Sequence, residues 1–223
     1  MSKAAALYGP FLQGLQGILG SFVIPLFTLN YDEAVESAVD ELADHSLVDG
    51  FATRYRPVWS RDVFDKFGEA AYGGKWVVLF KLHGSVSWTR PEGSDRIERT
   101  VSAARRRAGR THVILYPTRL QKAIDQEPFA TAYAYLEAAL GKARVAVFIG
   151  TSLRDAELLA VLRGITGLAP PTLIAVGPKV DKEEIASRTG FPRDRVRAAR
   201  LSFQPDQVPE LVRHINAELT SRT

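Results

Sequence analysis

The sequence predicts an α/β fold built on a doubly wound, mostly parallel sheet with a small insert. Three observations lead there. Short, strand-like apolar runs alternate with amphipathic helical patterns along the chain. The strongest runs, residues 22–29, 77–82 and 144–149, each stop at a polar turn, as buried parallel strands do where an open sheet forms its ligand crevice. And 223 residues, 46% of them hydrophobic, suffice for one domain over 1–223, with a possible basic insert at 86–111.

In chain order, residues 8–20 carry Phe11, Leu12, Leu15, Ile18 and Leu19 at helical spacing, although Gly14, Gly17 and Gly20 weaken a helix there. The run 22–29 reads as a buried strand with Pro25 at its start. It ends at Asn30-Tyr31-Asp32, where Asp32 can cap a helix whose inner face is Val35, Ala38, Val39 and Leu42, with Glu33 and Glu36 in its first turns. Residues 45–74 read as loop-rich, with Phe51, Tyr55, Trp59, Phe64 and Phe67 packing over the sheet. After the strand 77–82 come the polar, arginine-rich residues 88–110 and a short strand in 112–117, stopped by Pro117. A helix follows over 128–140, with Phe129, Tyr133, Leu136 and Leu140 on one side. The run 144–149 reads as a buried strand, and the helix after it turns Leu158, Leu159 and Leu162 inward. A strand at 172–176, a short helix begun by Asp181, a strand around 196–203 and a helix over 209–219 complete the chain.

Composition narrows the chemistry. With no cysteine, disulfides, thiolate metal sites and cysteine nucleophiles are excluded. His45, His83, His112 and His214 show no metal-ligand spacing, so no metal is expected. The net charge of +4 and the cluster Arg105-Arg106-Arg107 with Arg110 invite a nucleic-acid reading. Without interleaved aromatics or a helix-turn-helix or zinc-finger pattern, a solvated arginine face is the better account. No apolar run approaches the roughly 20 residues of a membrane span, and the amino terminus lacks the features of a secretory signal. A cytoplasmic protein is expected.

Three strand ends carry the polar equipment. His83 follows Val77-Val78-Leu79-Phe80-Lys81-Leu82, at a sheet's carboxyl edge, and Gly84 removes a side chain that would block close approach. Taken alone, His83 reads first as a packed loop histidine. Gly150-Thr151-Ser152 opens a helix and can offer N–H groups and hydroxyls to a phosphate, or serve as a plain helix cap. Thr28 to Asp32 forms the third junction.

Together these ends resemble the sirtuin-like (silent-information-regulator-like) superfamily in its cysteine-free bacterial branch, over about residues 12–178. Thr28-Leu29-Asn30-Tyr31-Asp32 looks like its T-x-N-x-D motif, Lys81-Leu82-His83-Gly84-Ser85 like its histidine-glycine-serine motif, and Gly150-Thr151-Ser152-Leu153 like its G-T-S-L motif, in the family's order. The resemblance implies a Rossmann-like, NAD-binding fold in which Asn30 and His83 act at the nicotinamide ribose. It places Asp32 at the nicotinamide end and Gly150, Thr151 and Ser152 near ribose and phosphate, with Thr28, Gly84, Ser85 and Leu153 completing the NAD contacts.

That chemistry is sensible. Nicotinamide in oxidised NAD is a cationic leaving group, so cleavage needs no general acid, unlike ordinary glycoside hydrolysis. A histidine can take the proton of a water or ribose hydroxyl near neutral pH, and an asparagine amide can orient it. Two departures from the family pattern shift the expectation. The four-cysteine zinc module of deacylating sirtuins is absent, which favours NAD hydrolysis, in a role such as antiphage defence, over NAD-dependent protein deacylation. No glycine-rich strand-loop precedes Thr28, and Val176-Gly177-Pro178 stands where an adenosine-ribose contact is usual. Hence an inactive sensor of NAD or ADP-ribose, or a scaffold, is the alternative. A homo-oligomer, or an upstream or partner segment completing the sheet, is expected.

Overall fold

The computed structural model describes residues 2–20, 23–53, 56–70, 74–100, 109–116, 124–167 and 169–221. The chain forms two compact units, Met1–Ala5 with Ser21–Tyr133 and Ala6–Gly20 with Ala134–Thr223. Two of the three boundaries fall within the helices α1 (Lys3–Leu19) and α4 (Phe129–Lys142), and the third follows the end of α1.

In the first unit, β1 (Val23–Thr28), β2 (His45–Val48) and β5 (Lys75–Lys81) make a parallel sheet in the order β1-β5-β2. The register sets Leu26 beside Leu79, Phe27 beside Phe80 and Thr28 beside Lys81. Flanked on both sides, β5 is buried from Val77 to Lys81. Pro25 falls third in β1 rather than at its start, and it is exposed. It is tolerated because among the described residues β1 pairs with β5 alone, so a missing N–H breaks no central ladder. The helix α2 (Ala34–Asp40) buries Val35, Ala38 and Val39 as its spacing predicts.

A five-stranded sheet with antiparallel pairing occupies the rest of this unit. Its order is β3 (Phe51–Thr53), β4 (Arg56–Trp59), β7 (Glu98–Arg99), β6 (Gly84–Pro91), β8 (Arg110–Ile114). The sheet joins strands from 84–114 with strands from 51–59. Residues 45–74, expected to be loop-rich, contain β2, β3, β4 and the helix α3 (Asp62–Ala70). Strands of three or four residues show no periodicity, and β2 and β4 also pair with strands far along the chain, β5 and β7. Their aromatics do pack over strands. Phe64 stacks on Phe80 at 4.5 Å, Phe67 meets Trp76 at 5.2 Å, and Phe51 lies against Trp88. Tyr55, Pro117 and the cluster Arg105-Arg106-Arg107 lie outside the described residues. Arg110 is paired, donating to Glu98 at 2.8 Å and to Thr89.

In the second unit, β9 (Val145–Ile149), β10 (Thr172–Val176) and β11 (Val196–Ala199) form a parallel sheet in the order β11-β10-β9. The fully buried strand is β10. β9, expected to be a buried strand, has Ala146 buried and its other residues partly buried. Its one described neighbour is β10, and burial follows neighbours as much as sequence. The helices α5 (Ala156–Ile165), α6 (Lys182–Thr189) and α7 (Val208–Thr220) accompany this sheet. Phe11, Ile174, Val176, Ala199, Val208, Leu211 and Ile215 form its core. Gly14 suits this packing, because a Cβ there would press within 2.7 Å of Val212 on α7.

The class is therefore mixed α/β and Rossmann-like, with seven α-helices among the described residues. Within that class the described strands divide among three sheets. The six parallel strands form two three-stranded sheets, and five further strands pair antiparallel. Ahead of β1 the described residues form α1, not a strand and glycine loop. No described helix is long and apolar enough to cross a membrane.

Candidate functional site

In the first unit, β1 and β5 end side by side, and the ladder continues one step as Leu82 N–H donates to the Thr28 carbonyl at 2.9 Å. The two segments therefore leave the sheet together at its carboxyl edge, where open α/β sheets bind ligands. Thr28 Oγ1 accepts the N–H of Asn30 at 3.0 Å, folding the chain back over the strand end. Asp32 Oδ1 accepts the N–H of Ala34 at 3.0 Å. That bond initiates α2 from one residue earlier than a standard cap, since Glu33 stands at the cap position without a side-chain capping bond. Asn30 and Asp32 are exposed.

His83 is 6% exposed. Its ring lies 6.3 Å from that of Tyr31, at 29°. Tyr31 also donates from its hydroxyl to the Leu115 carbonyl at 2.8 Å, and Leu115 N–H donates to the His83 carbonyl at 3.0 Å, closing a circuit around the imidazole. Val86 N–H and Ser85 Oγ both donate to the Tyr31 carbonyl, at 3.0 and 3.3 Å. Ser85 is fully buried, with Ser87 Oγ 3.0 Å from its hydroxyl. Its side chain thus ties one turn to the other.

Gly84 has a reason that the sequence does not reveal. Its φ is +82°, and a Cβ would overlap the backbone carbonyl of Val113 on β8. The close approach at Gly84 is by a neighbouring strand.

Buried charge underlies this edge. The Lys81 side chain is 1% exposed, and its Nζ donates to the Asp32 carbonyl and pairs with Glu36 Oε1 at 3.1 Å. Asp49, also buried, accepts from Arg99, whose guanidinium lies 4.2 Å over the Phe51 ring. Burial pushes the Glu36 carboxyl above the usual carboxylate range, with Lys81 opposing, and does the same to Asp49, with Arg99 opposing. Two carboxylates thus face two cations.

In the second unit, β9 runs into Gly150, whose φ is +66° and whose N–H donates to the Val176 carbonyl at 3.0 Å. Thr151 Oγ1 accepts the N–H of Leu153 at 3.1 Å. Leu153 itself has φ +50° and is 1% exposed. A left-handed leucine costs about 1–2 kcal/mol, tolerated here because the side chain is buried. Asp155, not Ser152 or Thr151, caps α5 by accepting the N–H of Leu158 at 3.0 Å. Arg188 on α6 donates to the Ser152 carbonyl and to Glu184. Gly150 and Ser152 are exposed.

The predicted residues Thr28, Asn30, Asp32, His83, Gly84 and Ser85 thus share one edge of the first unit, and Gly150 to Leu153 form one turn of the second. Tyr31, Lys81 and Arg188 carry much of the local bonding and were not singled out from the sequence. For Lys81 a signal existed: a cation closing a buried apolar strand needs a buried partner. Among the described residues no group of three or more His, Asp or Glu side chains could hold a metal ion. A recess of about 260 Å³ beside β8, lined by Arg90, Thr111, His112, Gln126 and Glu127, contains none of the motif residues.

Residues 25–189 match the family model described as SIR2-like domain. No curated protein matches significantly.

Proposed function

The chain belongs to the SIR2-like domain family, and from that premise we propose that it cleaves NAD, as a glycohydrolase, at the bond between nicotinamide and ribose. The bonds that hold Asn30 and His83 at one sheet edge are the observation that supports this most. In the proposed reaction the bond from ribose C1′ to the nicotinamide nitrogen breaks, and its electron pair neutralises the departing pyridinium. A water oxygen bonds to C1′, and its proton passes to His83, giving nicotinamide and ADP-ribose. Asn30 orients that water, and Asp32 faces the nicotinamide end. Thr28, Gly84 and Ser85 shape the two turns, and Gly150, Thr151, Ser152 and Leu153 supply contacts to ribose and phosphate. A single functional domain over 1–223, a cytoplasmic setting, assembly with a second copy or a sheet-completing segment, and antiphage defence belong to the same proposal, the last by family analogy. The test is nicotinamide release from NAD by the purified chain, with and without an acyl-lysine peptide. Release that does not need the peptide is expected. Release only with the peptide would replace the proposal with deacylation.

One observation favours a second reading, a domain that senses NAD or ADP-ribose without turnover: α1 stands where the family's glycine-rich loop would precede β1. NAD binding without nicotinamide release would select it.

A further inference from the structure

Lys81 is the last residue of β5, two residues ahead of His83. Its side chain turns away from solvent and reaches the opposite segment, where Nζ meets the Asp32 carbonyl and Glu36 Oε1. The cavity beside it, lined by Asp49, Phe64, Phe80 and Trp88 among others, is about 10 Å³, room for about one water. No nucleotide fits there, so Lys81 acts on the site through other residues.

A lysine in such a place needs a counter-charge, and Glu36 supplies one. That accounts for the charge but not for the contact with the Asp32 carbonyl. Asp49, the other buried carboxylate, already has Arg99. The carbonyl contact is to the backbone two residues from Asn30, while the lysine's own backbone leads into the His83 turn. One side chain therefore spans the two segments that carry the proposed orienting residue and base. Other bonds between them include Leu82 N–H to Thr28, Val86 N–H to Tyr31 and Ser85 Oγ to Tyr31. The lysine's bond lies one residue further along, at Asp32, where the chain enters α2.

We propose that Lys81 is a positioning residue that fixes where Asn30 stands relative to His83. The inference rests on the roles given above to those two residues. It differs from a charge-balancing role in one respect: the contact that matters is with the Asp32 carbonyl, and Glu36 is needed only to neutralise the ammonium.

Lys81→Met alone would leave Glu36 buried beside no cation and risks failing to fold. The informative pair is Glu36→Asp, which keeps the lysine, its bond to Asp32 and a counter-charge, and Lys81→Met with Glu36→Gln, which removes one charge of each sign and that bond together. The double variant is expected to fold and to lose about tenfold to a hundredfold in kcat, with KM for NAD changed less than about threefold. Glu36→Asp is expected to keep most of its turnover. Hydrogen exchange gives a second readout that needs no activity. The Leu82, Val86 and Ala34 amides should exchange faster in the double variant than in Glu36→Asp, while the β10 amides stay unchanged. Equal kcat in the two variants, or equal exchange at those three amides, would overturn the proposal. If the unaltered chain releases no nicotinamide, the hydrolase reading has failed. The exchange comparison alone then decides Lys81: faster exchange in the double variant keeps the link to the Asp32 segment, and equal exchange removes it.

Discussion

The His83 turn and the Gly150 turn both follow a parallel strand at its carboxyl end, yet they are held in opposite ways. The first leaves β5, the central strand of its sheet, and is buried. Its position is set by interior bonds from Tyr31, Lys81, Ser85 and Leu115. The second leaves β9, an edge strand among the described residues, and is largely exposed. Its shape comes from left-handed backbone at Gly150 and Leu153, with Arg188 on the Ser152 carbonyl. The contrast suits the two tasks proposed for them. An imidazole that accepts a proton needs fixed neighbours, which the interior around the first turn supplies. The second turn, proposed to meet ribose or phosphate, uses its Gly150 and Leu153 N–H groups internally but keeps Gly150 and Ser152 at the surface, where a ligand can reach them.

The comparison breaks most visibly at Gly84. Gly84→Ala adds a methyl group against the Val113 carbonyl at a φ that alanine disfavours, and should cost about 3 kcal/mol or more in urea unfolding. A loss below about 1 kcal/mol would show that the His83 turn tolerates movement.

At Leu153 the expectation is subtler. Leu153→Ala removes a buried side chain but keeps the left-handed strain, for a loss of about 2–4 kcal/mol. Leu153→Gly also loses the packing but relieves the strain, so it should be more stable than Leu153→Ala by about 1 kcal/mol. Equal stabilities, read by thermal melting, would mean that the turn's backbone is not strained.

Arg188→Ala should change stability by less than about 1 kcal/mol, because the contact is at the surface. It should still weaken NAD binding by roughly threefold to tenfold through a looser Ser152, as calorimetry can test. The smallest effect belongs to a group remote from both turns. Asp44 bonds Lys75 at 2.5 Å and His45 at 2.7 Å, and those bonds, Lys75 first, hold its carboxyl at about 2, below the ordinary 3.8. A folded value below the unfolded one stabilises above pH 3.8, and that contribution is lost as pH falls from 3.8 towards 2. Asp44→Asn should therefore flatten the acid side of a melting-temperature profile in that window and leave nicotinamide release at neutral pH unchanged.

Much of this was legible in the sequence where the signal is local. β5 and β10 are unbroken apolar runs, α4 shows Phe129, Tyr133, Leu136 and Leu140 at helical spacing, and Asp181 caps α6 as expected. The motif turns at Asn30, His83 and Gly150 also follow strands as read. What depends on distant partners was hidden. β2, β3, β4 and β7 are too short to carry a period. The exposure of β9 depends on having one neighbour, and the glycine at 84 answers to β8 rather than to a ligand. Lys81 was visible only as the last letter of an apolar run, although its partners, Asp32 and Glu36, stand in the adjacent motif and helix.

Nicotinamide release and NAD binding should be measured side by side on the unaltered chain and on His83→Ala. A loss of about a hundredfold or more in release, with the dissociation constant for NAD within about threefold, is the expected result. Undiminished release by His83→Ala would contradict the assignment of chemistry to the His83 turn.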